Sequence, residues 1–140
     1  MVIGQLPAAE AKALLCAGNL GRLGCVADGD PYVVPVNYFC DGESVYMHSL
    51  PGKKINALRT HGRGCLQVDE IRDSYHWRSV LATGPYEEVH DEQLRERVLA
   101  EVFKHVPHLT PVESKMTRGT TETIVFRLRI EQLTGVGENW

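Results

Sequence analysis

The sequence predicts a mainly β protein, an antiparallel β-barrel with helical additions. Strand-like segments in which apolar and polar residues alternate recur about six times along the chain. Short turn signals separate the early segments, and the strongest is Asp41-Gly42, a dipeptide typical of a two-residue hairpin. Helical patterns lie between later strands rather than after every strand. Strands joined mostly by hairpins favour an antiparallel barrel over a parallel α/β sheet.

The first element is a short helix over residues 6–18. Pro7 suits the first helical position, and Gly18 supplies a stop. The strands are predicted at residues 20–27, 32–40, 43–49, 63–70, 76–89 and 121–135. Within the strand at 76–89 we expect a bend at Gly84-Pro85, since proline cannot donate to a central ladder.

Two more helices are predicted between strands. Residues 52–61 begin with Gly-Lys-Lys and place Ile55 and Leu58 on one side. Residues 91–106 form the clearest helix, because apolar residues repeat every four positions, acidic residues fill the first turn and Pro107 ends it.

The composition indicates one globular domain over residues 1–140. Of the residues, 43% are hydrophobic and 24% charged, and the net charge of −3 argues against a general binder of nucleic acid or membrane surfaces. No apolar run approaches the ~20 residues of a membrane span, and no signal-peptide pattern opens the chain. We therefore expect a cytoplasmic protein.

Cysteine and histidine positions predict neither disulfides nor a metal site. The four cysteines show no C-x-x-C spacing, so buried free thiols in a reducing compartment are expected. They are Cys16, Cys25, Cys40 and Cys65. His105 and His108 lie three apart, but Pro107 between them breaks the helix that would bring them together.

The chemistry is concentrated between residues 32 and 58. Pro35 interrupts a strand, which predicts a sheet edge or a bulge where backbone groups are offered to another molecule. Asn37 shares its face by strand alternation. A flat heterocycle with polar edges would use such a surface; the alternative is that Pro35 only blunts an exposed edge strand.

The segment SLPGKK at residues 49–54 predicts a phosphate site. Ser49 supplies a hydroxyl, Gly52 permits close approach of the backbone, and the helix start adds free N–H groups. Lys53 and Lys54 oppose the helix macrodipole unless an anion binds there. The alternative is a solvated basic turn. The glycine spacing of a P-loop is absent.

A family resemblance is carried by two segments that follow each other in the chain, GRLGCVADGDPYVVPVNYFCDGESVYMHSLPGKKINALRTHGRGCLQVDE and then WRSVLATG. Over residues 15–135 the chain resembles the FMN-binding split-barrel superfamily of pyridoxamine 5′-phosphate oxidases, and is similar to its nitroimidazole-resistance-like branch. The resemblance implies a six-stranded antiparallel split β-barrel and a homodimer with FMN at the interface.

The resemblance also assigns cofactor-binding roles to particular positions. It places the isoalloxazine ring beside residues 35–38, and His48 and Ser49 along the ribityl and phosphate path. Lys53 and Lys54 hold the phosphate, and residues 77–79 reach the flavin, often from the second subunit. The full set of implied cofactor contacts is Pro35, Val36, Asn37, Tyr38, His48, Ser49, Lys53, Lys54, Trp77, Arg78 and Ser79. The arginine pattern of true pyridoxamine phosphate oxidases is missing, so vitamin B6 chemistry is not expected.

The expected function is that of an FMN-dependent oxidoreductase acting on a small, flat, electron-poor acceptor such as a nitroaromatic or quinone. His48 and Arg78 are weak candidates for stabilising charge on that acceptor, and His48 could instead contact FMN or simply pack. Alternatives are a flavin-binding module without turnover, with Trp77 or Trp140 covering the flavin, or the same fold holding haem, with His48 or His76 as its ligand, or deazaflavin F420.

Overall fold

The computed structural model describes residues 3–104 and 123–139. Within these residues the chain forms three helices, α1 Ala8–Ala17, α2 Lys53–His61 and α3 Glu92–Phe103. The strands are β1 Ile3–Gln5, β2 Leu20–Ala27, β3 Asp30–Asn37, β4 Phe39–Cys40, β5 Ser44–Ser49, β6 Arg63–Asp73, β7 His76–Glu88, β8 Ile124–Arg129 and β9 Gln132–Glu138. None of the helices in this part of the chain has the length and apolar character to cross a membrane.

The strands form one antiparallel, curled sheet in the order β3-β2-β6-β7-β8-β5-β4. Strand β9 pairs with both β1 and β7. Strand β7 pairs with β9 through residues 77–83 and with β8 through residues 86–88, so it connects the two parts of the sheet. The change of partner falls at Gly84-Pro85, where the sequence predicts a bend. The predicted mainly β, antiparallel architecture with helical additions is confirmed.

The predicted hairpin at Asp41-Gly42 joins β4 to β5. Gly42 has a φ of 97°, which favours glycine because a Cβ is strained there. The Asp41 carboxylate accepts hydrogen bonds of 2.9 Å from the backbone N–H groups of Glu43 and Ser44. The turn therefore forms for the local reason that its sequence indicates.

The predicted strand over residues 121–135 is wrong in one respect, because its described part is two strands, β8 and β9. The chain leaves β8 at Ile130, whose N–H donates to the carbonyl of Glu43 at 2.9 Å. Glu131 then donates to the carbonyl of Thr83 at 3.0 Å. Apolar alternation continues through this break, so the sequence pattern does not reveal it.

The cysteine prediction is wrong for one pair. Cys16 and Cys40 form a disulfide between α1 and β4, with Cα atoms 5.0 Å apart. Cys25 and Cys65 are free, as predicted. The bonded residues are 24 positions apart, and only the packing of α1 against β4 brings them together.

The two faces of the sheet differ in what covers them. The inner face packs against α1 and α2, and its buried residues include Leu23, Leu66 and Val80 with Leu15 and Leu58 from the helices. On the outer face, α3 covers β5 and β8, whereas no described helix covers this face of β3, β2, β6, β7 and β9. The functional features lie where α2 meets the edge strand β3 and on this outer face.

Candidate functional site

The N-terminus of α2 is arranged to receive an anion. Its N-cap is Gly52, no side chain caps it, and its first turn has no acidic residue. By contrast, α3 is capped by Asp91, whose carboxylate accepts from the N–H of Leu94 at 2.9 Å. The first N–H groups of a helix lack intrahelical partners and carry partial positive charge. At α2 this potential is reinforced by two lysines instead of being neutralised.

Lys53 and Lys54 have unusual surroundings for surface cations. The ammonium group of Lys53 lies 5.5 Å from the centre of the Tyr32 ring. Burial lowers the pKa of Lys54, and the nearby Cys25 partly opposes this effect. Within residues 3–104 and 123–139, neither lysine forms a salt bridge. The arginines that do pair with carboxylates are Arg22, Arg59, Arg63, Arg78, Arg127 and Arg129.

The contact between Lys53 and Tyr32 places the start of α2 beside β3. Strand β3 lies at the end of the sheet order, which confirms the edge position that Pro35 predicts. The residue opposite Pro35 in the ladder is Arg22 of β2. From Tyr32 to Asn37, β3 extends about 17 Å at ~3.3 Å per residue. An extended ligand can therefore lie along this edge with one end at the lysines.

Two of the predicted ring-contacting residues direct their side chains inward. Tyr38 is buried, and its hydroxyl donates to the carbonyl of Leu15. Burial also raises the pKa of Tyr38. Val36 packs against the same core. At these two positions only the backbone is available to a ligand, whereas Pro35 and Asn37 lie on the outer face.

His48 and Ser49 end strand β5. The imidazole of His48 lies against the Phe103 ring of α3, with ring centres 5.0 Å apart. The hydroxyl of Ser49 donates to the carbonyl of Leu50 at 2.8 Å. His48 thus makes a packing contact with α3, one of the three roles its sequence position allows, and its cofactor role stays a prediction.

The predicted segment 77–79 divides between the two faces of the sheet. Trp77 and Ser79 project to the outer face, and the Trp77 indole N–H donates to the Glu138 carboxylate at 3.0 Å. Arg78 projects to the opposite face and pairs with Glu70, its neighbour across the ladder. A ligand on the outer face can therefore meet Trp77 and Ser79 but not the Arg78 side chain of the same chain.

The outer face exposes several large apolar residues, with polar side chains such as those of Arg22, Gln67 and Asp69 between them. By ladder register the apolar residues share one side of the sheet, from β3 through β2, β6 and β7 to β9 and β1. The set is Ile3, Leu20, Val26, Val33, Ile71, Leu81 and Val136. Val33 is the most exposed, at 68%. Exposed apolar residues grouped on one face of a sheet are typical of interaction surfaces.

A shallow cleft of about 390 Å³ opens on this face next to β3. Its walls include Tyr32, Val33 and the two free cysteines. Burial raises the pKa of both Cys25 and Cys65, which keeps the thiols protonated. The cleft is therefore a mostly apolar surface rather than a nucleophilic one.

Polar side chains form a hydrogen-bonded network across the same face, which the sequence does not predict. The Asp69 carboxylate accepts from Arg22 at 2.9 Å and from Gln67 at 3.0 Å. The Gln67 amide also donates to the Ser79 hydroxyl at 2.9 Å. Arg22 and Asp69 are 47 residues apart, and only the register of β2 and β6 places them together. The contact between Tyr32 and Lys53 is likewise not predicted, because it depends on how α2 packs beside β3.

No metal centre is found in the described part of the chain, where no three histidine, cysteine or acidic side chains come together. His105, His108 and Trp140, which the sequence analysis considered, lie outside the described residues.

Residues 7–136 match the sequence pattern of the protein family described as Pyridoxamine 5′-phosphate oxidase. A curated relative, an uncharacterized protein of Rhizobium meliloti, is 31% identical over 144 residues, covering 96% of this chain and 95% of the relative.

Solved structures are similar over almost the whole chain. A FAD-binding protein from Mesorhizobium loti is 33% identical, with a TM-score of 0.83, over 99% of this chain and 100% of that one. A putative 5-nitroimidazole antibiotic resistance protein from Bacteroides thetaiotaomicron is 18% identical, with a TM-score of 0.73, over 99% and 91% of the two chains. At that identity the second likeness shows a shared fold.

Proposed function

Because the chain belongs to the pyridoxamine 5′-phosphate oxidase family, we propose that it is a flavin-dependent oxidoreductase. The sequence resemblance is thereby confirmed at the level of the family. The chain holds the flavin through riboflavin 5′-phosphate, the unit common to the predicted FMN and to FAD. Oxidation of vitamin B6 is not proposed, because the arginine pattern for that substrate is missing from the sequence.

One observation carries this proposal: Lys53 and Lys54 stand at an uncapped helix N-terminus without a salt bridge to any described carboxylate. Lys54 is partly buried, so its charge has lost part of its hydration. A phosphate would restore the missing electrostatic partner and accept hydrogen bonds from the helix N–H groups. The residues present therefore fit the phosphate of a flavin.

The remaining contacts follow from the direction of β3. With its phosphate at Lys53, the cofactor extends along the free edge towards Pro35 and Asn37. Backbone groups at this edge supply hydrogen bonds to the polar rim of the ring, which explains why a proline is tolerated there. The roles of His48, Ser49 and residues 77–79 remain predictions within this proposal.

A bound flavin supplies two-electron transfer to an acceptor. The chain contributes position and exclusion of water, and a flat, electron-poor nitroaromatic or quinone suits the shallow apolar cleft beside β3. Among the described residues, Trp77 is not part of the cleft wall, and its indole is held by Glu138.

The protein is proposed to act as a homodimer through the outer face. An exposed apolar sheet face is costly in water, and a second copy would cover it by a two-fold interface. Trp77 and Ser79 lie on this face, so each chain can present them to the flavin of the other. A cytoplasmic location stays a prediction.

The dimer is tested by placing charges on this face, one on edge strand β3 and one on central strand β7. The double variant Val33→Asp, Leu81→Asp should be a monomer, because both carboxylates would be buried at the interface without partners. Light scattering should give twice the chain mass of 15.6 kDa for the wild type and 15.6 kDa for the variant. Glu10→Asp, at an exposed position of helix α1 away from this face, is the control. A wild-type monomer would contradict the proposal.

The cofactor is tested by the absorption spectrum of the purified protein before and after flavin is added. We expect oxidised-flavin bands that bleach under a reduced nicotinamide and return when a quinone or nitroaromatic is supplied. If flavin binds but its bands do not complete this cycle of bleaching and recovery, the result would support flavin storage without turnover. A haem or deazaflavin spectrum, or no flavin binding, would overturn the proposal.

A further inference from the structure

A second cavity, of about 450 Å³, adjoins the phosphate site. One wall is the β2–β3 turn and the other is one side of α2. The lining residues are Val26, Ala27, Asp28, Lys53, Asn56, Ala57, Thr60 and His61. The α2 residues recur every three to four positions, so they form a single stripe along the helix. This volume lies within the range of roughly 300–1,000 Å³ that is usual for small-molecule sites.

The cavity continues the line of the proposed flavin. Asn37 and Pro35 lie at one end of β3, Tyr32 lies nearer the other end, and Lys53 stands over Tyr32. Lys53 also lines the second cavity, and Val26 lines both this cavity and the outer-face cleft. A cofactor that ends at its phosphate stops at Lys53. One that continues beyond its phosphate enters this cavity.

The walls suit a nucleoside rather than a further anion. Val26 and Ala57 offer apolar surface to the faces of a flat base. The Asp28 carboxylate can accept hydrogen bonds from ribose hydroxyls, and it would repel a phosphate. Asn56 and His61 add groups that can pair with the edge of a base. The apolar and polar groups thus match an adenosine on the far side of the phosphate-binding lysines.

We propose that this cavity receives the adenosine half of FAD, so the cofactor is the dinucleotide rather than the FMN that the sequence predicts. The inference rests on the proposed function, because Lys53 and Lys54 must hold the phosphates between the two halves. The likeness to a FAD-binding protein of Mesorhizobium loti agrees with it.

The test compares FAD and FMN on the same protein. The full-length chain is freed of flavin and titrated with each cofactor by calorimetry. FAD should bind at least about tenfold more tightly than FMN, a difference of about 1.4 kcal/mol. Thr60→Trp fills the cavity from an exposed position in the third turn of α2. This variant should lose the preference for FAD and keep the wild-type affinity for FMN.

The matched control is Glu96→Trp, an exposed helical position on α3 outside the cavity. It should keep both affinities. Equal affinities of the wild type for FMN and FAD, or an unchanged preference in Thr60→Trp, would overturn the adenosine site and leave the flavin proposal standing. Binding of neither flavin would overturn both. Circular dichroism on each variant checks that α2 is folded.

Discussion

Replacing Lys53 and Lys54 together by alanine is expected to weaken flavin binding at least about 100-fold. Hydrogen bonds between charged groups contribute about 1.5–3 kcal/mol each. Losing one from each lysine therefore removes at least about 3 kcal/mol, or two factors of ten in affinity. The effect is large because the described acidic residues form no salt bridge to either lysine, and the phosphate is their proposed ionic partner.

The same substitution should not reduce the stability of the flavin-free protein. Two positive charges at a helix N-terminus oppose its macrodipole by about 0.3–1 kcal/mol each. Without flavin, the melting temperature of the double variant should therefore equal or exceed that of the wild type. With flavin present, the order should reverse, because ligand binding stabilises only the protein that binds it.

Calorimetric titration with FMN and FAD measures the affinities, and thermal unfolding measures the stabilities. Lys104→Ala is the control, since Lys104 is an exposed lysine at a helix end whose salt bridge to a described residue is that with Glu101, at 3.7 Å. It should leave flavin affinity unchanged. If the double variant binds flavin as the wild type does, the lysines are surface charge and the phosphate lies elsewhere.

Local sequence signals predicted the elements that surround this site. Asp41-Gly42 specified the hairpin, Pro35 indicated an edge strand, and Gly52 followed by two lysines indicated a helix start open to an anion. Each of these depends on the conformational preferences of a few adjacent residues. Such preferences act before the tertiary structure is known, so the sequence carries them directly.

Contacts between distant strands could not be predicted, because they depend on ladder register. The Trp77 and Glu138 pair is separated by 61 residues and meets through the pairing of β7 with β9. Cys16 and Cys40, 24 residues apart, depend instead on the packing of α1 against β4. A shift of one residue in any ladder would move every side chain of that strand to the other face. The family resemblance assigned residues 77–79 to the flavin as one segment, whereas the ladder register places Arg78 on the face opposite Trp77.

Replacing Gly84 by alanine is expected to destabilise the fold by about 3 kcal/mol or more, at or above the upper end of the usual cost of overpacking. Gly84 lies where β7 exchanges β9 for β8 as its partner. A Cβ built on Gly84 would lie 1.6 Å from the backbone carbonyl oxygen of Arg129 and 2.7 Å from its carbonyl carbon. Two backbones collide, so no side-chain rotation can relieve the contact.

Relief would require β7 and the end of β8 to separate. The adjacent hydrogen bond from the Glu131 N–H to the Thr83 carbonyl, at 3.0 Å, would then be lost as well. Because β7 also carries Trp77 and Ser79 on the outer face, the variant should weaken dimerisation together with folding. Denaturant unfolding measures the first effect and light scattering the second.

The matched control is Gly4→Ala, since a Cβ at Gly4 would meet nothing within 4 Å and β1 is exposed. Its unfolding midpoint should equal that of the wild type, whereas that of Gly84→Ala should fall. An unchanged midpoint for Gly84→Ala would mean that β7 and the chain after β8 do not approach as closely as described. The connection between the two parts of the sheet would then need revision, and with it the common outer face on which the proposed dimer depends.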